Sequence, residues 1–127
     1  MNCIIIDDEP LARKTIQRLL NKVPALSLIG SFNEANNMGT YLRDNNVGLI
    51  FLDIHMPGIS GIEFAKTIPQ NTLVIFTTAY PEYALDSYEV DAIDYLVKPI
   101  EFARFQKAVN KAVSYHSLLF NDDKETI

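Results

Sequence analysis

Side chains with reactive groups recur at the ends of short apolar runs in this 127-residue sequence. They are the carboxylates of Asp7, Asp8 and Asp53, the hydroxyls of Thr77 and Thr78, and the amine of Lys98. Three carboxylates in one site carry a charge near −3, and at about 4 Å each pair repels by roughly 4 kcal/mol at an effective dielectric of 20. Such a cluster needs a cation, and oxygen ligands without histidine or cysteine favour magnesium, manganese or calcium over zinc. A carboxylate beside such a cation can act as a nucleophile toward phosphorus.

Five short apolar runs predict the strands that would position these groups. They cover residues 3–6, 26–29, 49–52, 73–76 and 93–97, and consecutive apolar positions are typical of strands buried on both faces of a parallel sheet. Apolar residues at helical spacing predict helices over 12–23, 35–42, 62–68, 81–89 and 102–113. Strands alternating with helices predict a doubly wound α/β sheet. Ligands of such sheets bind at the carboxyl ends of the strands, where strand order reverses, so we expect the polar side chains to share one crevice.

Composition and charge narrow the class of protein. The chain has 11 basic and 16 acidic residues, a net charge of −5, which argues against direct binding of nucleic acid or of an anionic membrane surface. The single cysteine, Cys3, cannot form an internal disulfide, so we expect a reducing cytoplasm. The N-terminus lacks a signal-peptide pattern, and no apolar run approaches the ~20 residues that span a bilayer. Length and periodicity predict one domain over 1–119, with 120–127 as a tail or linker.

The motifs around the reactive residues resemble the receiver domain of two-component response regulators. DDEP at 7–10, LDIHMPGISG at 52–61, TTAY at 77–80 and DYLVKP at 94–99 occur in that order, and the resemblance covers residues 2 to about 117. The stretch 76–100 is similar in particular to receivers of the LytTR branch. The resemblance implies a flavodoxin-like (βα)5 fold, with five parallel strands in the order 2-1-3-4-5 and helices on both faces. It also implies that 120–127 leads toward a C-terminal LytTR DNA-binding domain, which is absent from this sequence.

The resemblance further implies a phosphoacceptor and a metal site. Asp53 would accept a phosphoryl group from a phosphohistidine on a sensor histidine kinase. Asp7, Asp8, Asp53 and the backbone carbonyl of His55 would hold Mg²⁺, with Mn²⁺ as a substitute. His55 and Tyr80, each two residues past a site residue, would border the path of attacking water, and the bulk of Tyr80 would slow loss of the phosphoryl group.

A switch is the other implied element. Thr78 and Lys98 would bind the phosphoryl group, and Tyr95 would turn inward as Thr78 moves, changing the surface of the predicted helix 81–89, the last strand and the last helix. The peptide bond between Lys98 and Pro99 is implied to be cis. The choice of Thr78 rests on the resemblance, since the pattern alone leaves Thr77 open.

The function expected from this reading is a phosphorylation-controlled signalling domain, with control of transcription through a LytTR domain as its output. It would turn over no external substrate and is therefore not expected to be an enzyme. A phosphate-independent docking module with the same fold stays open as an alternative. A phosphohydrolase of the haloacid-dehalogenase type is disfavoured, because its acid/base Asp would stand where His55 stands. Asp8 could instead cap the first helix, a role compatible with metal binding.

A dimer surface is a separate expectation, drawn from the charges. Acidic residues follow the fourth predicted strand and basic residues lie on the last predicted helix, a pattern that suits a two-fold homodimer formed on phosphorylation. The acidic residues are Glu82, Asp86, Glu89 and Asp91, and the basic residues are Arg104, Lys107 and Lys111. The alternative is a solvated surface with ion pairs inside one chain.

Overall fold

A five-stranded parallel sheet forms the centre of the protein. The computed structural model describes residues 1–82 and 91–125, with side chains described as far as residue 119. The strands are β1 (Asn2–Ile6), β2 (Ser27–Phe32), β3 (Leu49–Asp53), β4 (Leu73–Thr78) and β5 (Asp94–Val97). Every neighbouring pair is parallel and the order is β2-β1-β3-β4-β5, which confirms the predicted topology.

The helices follow the predicted pattern with shifted ends. They are α1 (Pro10–Leu20), α2 (Met38–Asp44), α3 (Gly61–Ala65) and the C-terminal helix (Phe102–Glu125). The second helix begins at Met38 and not at residue 35, because Asn37 adopts a left-handed conformation with φ of 62°. The predicted helix over 81–89 falls almost wholly outside the described residues. Within the described ranges, no helix is both long and apolar enough to cross a membrane.

The ends of three helices differ from what the sequence predicted. The N-cap of α1 is Glu9, with Pro10 in the first turn, so Asp8 does not cap this helix. The third helix ends at Ala65, short of residue 68, after an N-cap at Ser60 whose hydroxyl accepts a hydrogen bond from the Glu63 N–H. The C-terminal helix continues to Glu125, so residues 120–125, expected to be a tail, have a helical backbone.

Two apolar layers cover the sheet. One layer lies under α1 and the C-terminal helix, where the ring of Phe51 stacks on Phe105 at 5.2 Å between centroids. The other lies under α2 and α3 and includes Phe76. Strands β1, β3 and β4 are buried as predicted, whereas β2 forms one edge of the sheet and leaves Ile29 39% exposed. The expectation that the second strand is covered on both faces is therefore wrong.

Candidate metal and phosphoryl site

The carboxyl ends of β1 and β3 bring three carboxylates together. These strands are neighbours, and β1 is also the strand at which the chain order reverses, so Asp7 and Asp53 end up side by side. Carboxylate oxygens of Asp7, Asp8 and Asp53 all lie within 4.8 Å of one another. Asp7 and Asp53 are buried, at 0% and 3% exposure, whereas Asp8 lies closer to solvent.

This carboxylate cluster is suited to a hard divalent cation. In the described part of the chain it is the one group of at least three acidic, His or Cys residues close enough together to hold a metal ion. Its donors are oxygens, which fits Mg²⁺ or Mn²⁺ rather than zinc. The N–H of His55 donates to Asp53 Oδ1 at 3.3 Å, while the predicted use of the His55 carbonyl as a ligand stays a prediction.

Lys98 completes the electrostatics of the site. Its Nζ lies 2.9 Å from Asp7 Oδ2 and 3.7 Å from Asp53 Oδ1, so it bridges the two buried carboxylates. Burial opposes the charge on Lys98, but the hydrogen bond with Asp7 and the attraction of Asp53 outweigh it and raise the Lys98 pKa.

The position of Asp53 in this cluster raises the pKa of its carboxyl group. Burial, and then repulsion by Asp7, outweigh the attraction of Lys98 and the His55 N–H, and raise the pKa of Asp53 from 3.8 to about 7. One lysine therefore does not neutralise the buried carboxylates, and the pocket retains capacity for further positive charge.

The two threonines at the end of β4 have different environments, although both are fully buried. Thr77 pairs with Asp53 in the β3–β4 register, and its hydroxyl has no hydrogen-bond partner among the described residues. The Thr78 hydroxyl accepts a hydrogen bond from the Tyr80 N–H at 3.0 Å. The hydroxyl predicted to bind the phosphoryl group is thus engaged in a local turn in this structure.

Two ring contacts involve Tyr95, Tyr80 and His55, which were predicted to act beside the acceptor. The ring of Tyr95 is half-buried and stacks on Phe76 at 5.7 Å, with 9° between the planes. Tyr80 is 52% exposed and its ring meets His55 edge-on at 5.3 Å. His55 and Tyr80, predicted to border the same path, are therefore neighbours.

Backbone contacts fix the loops that carry the site. The peptide bond between Lys98 and Pro99 is cis, as the resemblance implied, and the Lys98 N–H donates to the Thr78 carbonyl at 2.7 Å. At Gly61, any Cβ would collide with the backbone carbonyl of Asp53. The N–H of Gly61 donates to the Ile54 carbonyl at 2.9 Å, so this glycine lets α3 start directly against the end of β3.

Sequence reasoning missed two residues. Arg13 on α1 donates from Nη1 to the Asp7 backbone carbonyl at 2.6 Å, and nothing in the helical pattern distinguishes it from other surface positions. Asp94, the first residue of β5, is the second. Its carboxylate binds Arg104 through both oxygens, at 2.9 and 2.6 Å, and Lys111 at 3.0 Å. The sequence feature that could have identified Asp94 is its position directly before Tyr95, the predicted switch residue.

The Asp94 contacts bear on the predicted dimer surface. Two of its three basic residues, Arg104 and Lys111, have an acidic partner inside the chain, as the alternative reading proposed. Lys107 and Asp91 are exposed. Asp86 and Glu89 lie outside the described residues.

Comparison with known proteins agrees with this geometry. Residues 3–110 match the family described as the response regulator receiver domain. Similar proteins include the sensory transduction proteins LytT of Oceanobacillus iheyensis, 39% identical over 87% of this chain and 47% of the relative, and LytR of Staphylococcus haemolyticus, 39% identical over 87% and 44%. The response regulatory domain of MrkE from Klebsiella pneumoniae superposes with a TM-score of 0.82 at 30% identity, covering 92% of this chain and 98% of that one. The chain spans about half the length of the curated relatives it matches.

Proposed function

Since this chain belongs to the response regulator receiver family, we propose that it takes a phosphoryl group on Asp53 from a sensor histidine kinase and switches an output surface in response. The observation that carries the proposal is the contact of Lys98 Nζ with the two buried carboxylates of Asp7 and Asp53. Buried carboxylates with a perturbed pKa and a specific charged partner are typical of functional sites.

The chemistry assigned to the chain is positioning and charge balance. An oxygen of Asp53 attacks the phosphorus of a phosphohistidine, the P–O bond forms as the P–N bond breaks, and the imidazole leaves with the electron pair. Lys98, already 3.7 Å from Asp53 Oδ1, offsets negative charge on the phosphoryl oxygens. Asp7, Asp8 and Asp53 would hold Mg²⁺ or Mn²⁺, which supplies positive charge at the phosphoryl oxygens when bound.

The switch begins from the hydrogen bond described at Thr78. An acyl phosphate on Asp53 adds about one negative charge and new acceptor oxygens. Those acceptors compete with the Tyr80 carbonyl, to which the Thr78 hydroxyl now donates at 3.4 Å. When Thr78 turns toward the phosphoryl group, the Tyr95 ring leaves its stack on Phe76 and moves inward.

The wider assignments rest on the relatives. Because the chain spans about half of LytT and LytR, we propose that its output is transcription, through a LytTR DNA-binding domain carried outside this sequence. The chain itself would bind no nucleic acid and no membrane, act in the cytoplasm and turn over no external substrate.

A phosphorylation-dependent homodimer belongs to the same proposal. Glu82, Asp91 and Lys107 are exposed and are the contacts that the described residues leave available for a partner copy. Sedimentation of the chain with beryllium fluoride and magnesium should give a dimer that Lys107→Glu weakens, and a monomer at high concentration would remove the dimer from the proposal.

The test of the function is phosphorylation followed by intact-mass spectrometry. With magnesium, and with either acetyl phosphate or the kinase as donor, the wild type should gain one labile phosphoryl group. Asp53→Asn should gain none, whereas Asp44→Asn, at an exposed acidic position, should behave as wild type. No gain from either donor would favour the phosphate-independent docking module.

A further inference from the structure

An ion-pair cluster clamps the backbone of β5 at the residue that is expected to switch. The Asp94 carboxylate is 8% exposed and is held by the Arg104 guanidinium and the Lys111 amine, which are 43% and 49% exposed. Both bases come from the C-terminal helix, with Arg104 bound through two nitrogen–oxygen contacts. Such a fork-to-fork geometry fixes orientation as well as distance.

The same cluster holds both backbone polar groups of Tyr95. The Tyr95 N–H donates to Asp94 Oδ1 at 2.8 Å, and the Tyr95 carbonyl accepts from Arg104 Nη2 at 3.1 Å. The cluster therefore anchors the peptide units on either side of the Tyr95 Cα, about which the ring must swing.

A displacement of this backbone would strain the cluster. The Tyr95 carbonyl and Asp94 Oδ1 share one Arg104 nitrogen, Nη2, while Nη1 binds Asp94 Oδ2. A shift of the Tyr95 carbonyl along β5 would therefore lengthen its contact with Nη2 unless the contacts with Asp94 changed as well. Lys98, three residues further, is tied to Thr78 through its N–H, so movement at Thr78 is passed toward this part of β5.

We propose that Asp94, Arg104 and Lys111 are positioning residues that hold Tyr95 in the conformation seen here and so set the balance between the resting and activated states. The inference rests on the proposed function and deepens it. Under this inference, Arg104 and Lys111 do not contact a second copy of the chain. They connect the C-terminal helix to Tyr95 within one chain and restrain the switch.

The test is the affinity of the chain for beryllium fluoride with magnesium, a phosphoryl mimic, measured by calorimetry. Arg104→Ala should bind the mimic more tightly by about fivefold, which corresponds to about 1 kcal/mol. Arg104→Lys keeps the positive charge but loses the two-nitrogen contact of the guanidinium with the Asp94 carboxylate. Its affinity for the mimic should therefore resemble that of Arg104→Ala more than that of the wild type. Arg18→Ala removes an exposed arginine of α1 that has no ion pair among the described residues, so it is the matched control and should bind as the wild type does.

Stability in urea separates the outcomes. A loss of stability in Arg104→Ala with mimic affinity equal to that of Arg18→Ala would make the cluster merely structural and overturn the inference. Tighter binding in Arg104→Ala and Asp94→Asn, but not in Arg18→Ala, would support it. A wild type that binds no mimic and gains no phosphoryl group would overturn the proposed function and this inference with it.

Discussion

Replacing Asp53 with asparagine should stabilise the fold at alkaline pH when no divalent cation is present. The Asp53 carboxylate is buried beside Asp7, and its pKa rises from 3.8 to about 7. At 1.36 kcal/mol per pKa unit, that rise corresponds to roughly 4 kcal/mol of cost for ionised Asp53 in the folded state. Asparagine removes the charge, its amide oxygen can still accept from the His55 N–H, and Lys98 keeps its contact with Asp7. We expect Asp53→Asn to raise the unfolding free energy by about 2 to 4 kcal/mol.

The sign of the pH dependence follows from the raised pKa. The unfolded chain loses the Asp53 proton near pH 4, while the folded chain keeps it until near pH 7, so wild-type stability falls as pH rises between these values. The difference between Asp53→Asn and the wild type should therefore be near zero below pH 4 and complete at pH 8. Urea unfolding with a chelator present, at pH 4, 6 and 8, measures it.

Asp94→Asn is the matched control, because its effect has the opposite sign. The opposing cost of burial is outweighed by hydrogen bonds from Arg104 and Lys111, which lower the pKa of Asp94 from 3.8 to about 2. This stabilisation is present above pH 4 and lost as pH falls toward 2, so Asp94→Asn should lose about 1 kcal/mol at pH 8, discounted because both bases are half-exposed. Equal effects of the two substitutions, or a gain in Asp53→Asn that is as large at pH 4 as at pH 8, would refute the electrostatic argument.

Four further substitutions test the surroundings of the site. Thr77→Val should raise the unfolding free energy measured in urea by about 1 kcal/mol, because it removes a buried hydroxyl that has no partner among the described residues. Thr78→Val should instead weaken binding of beryllium fluoride measured by calorimetry, because it removes the hydroxyl expected to bind the phosphoryl group. The reverse pattern would exchange the roles of the two threonines. Tyr80→Ala should speed loss of the phosphoryl group followed by mass spectrometry, and an unchanged decay would deny Tyr80 a shielding role. Gly61→Ala should lower the unfolding free energy by at least about 2 kcal/mol in urea, since its Cβ meets the Asp53 carbonyl, and a neutral effect would contradict this close approach.

The central strands could be predicted well because a strand buried on both faces has an unbroken run of apolar residues. Strands β1, β3 and β4 carry unbroken apolar runs that end at the polar site residues. The edge strand β2 lacks that constraint, and its range was predicted to begin at residue 26 and to end three residues short of Phe32. The start of α2 depends on the left-handed Asn37, which periodicity does not register.

The site residues also fall into those that the sequence could predict and those that it could not. Asp7, Asp8, Asp53 and Lys98 could be predicted because each lies at or just after the end of a strand, and the carboxyl ends of parallel strands share one edge of the sheet. The Asp94 cluster could not, since its partners lie 10 and 17 residues further along the chain and meet it only when the C-terminal helix packs on β5. The charges of that helix, interpreted without this packing, predicted an external contact for Arg104 and Lys111.

The ion pair between Asp7 and Lys98 joins the beginning of the chain to its last strand. Parallel pairing of strands distant in sequence is a late event in folding, because the intervening chain must close first. A nascent receiver that has made β1, β3 and β4 but not β5 therefore already carries its acceptor aspartate while lacking the amine that balances it. Under the proposed function, the charge balance of the acceptor site is therefore complete only once β5 has paired with β4.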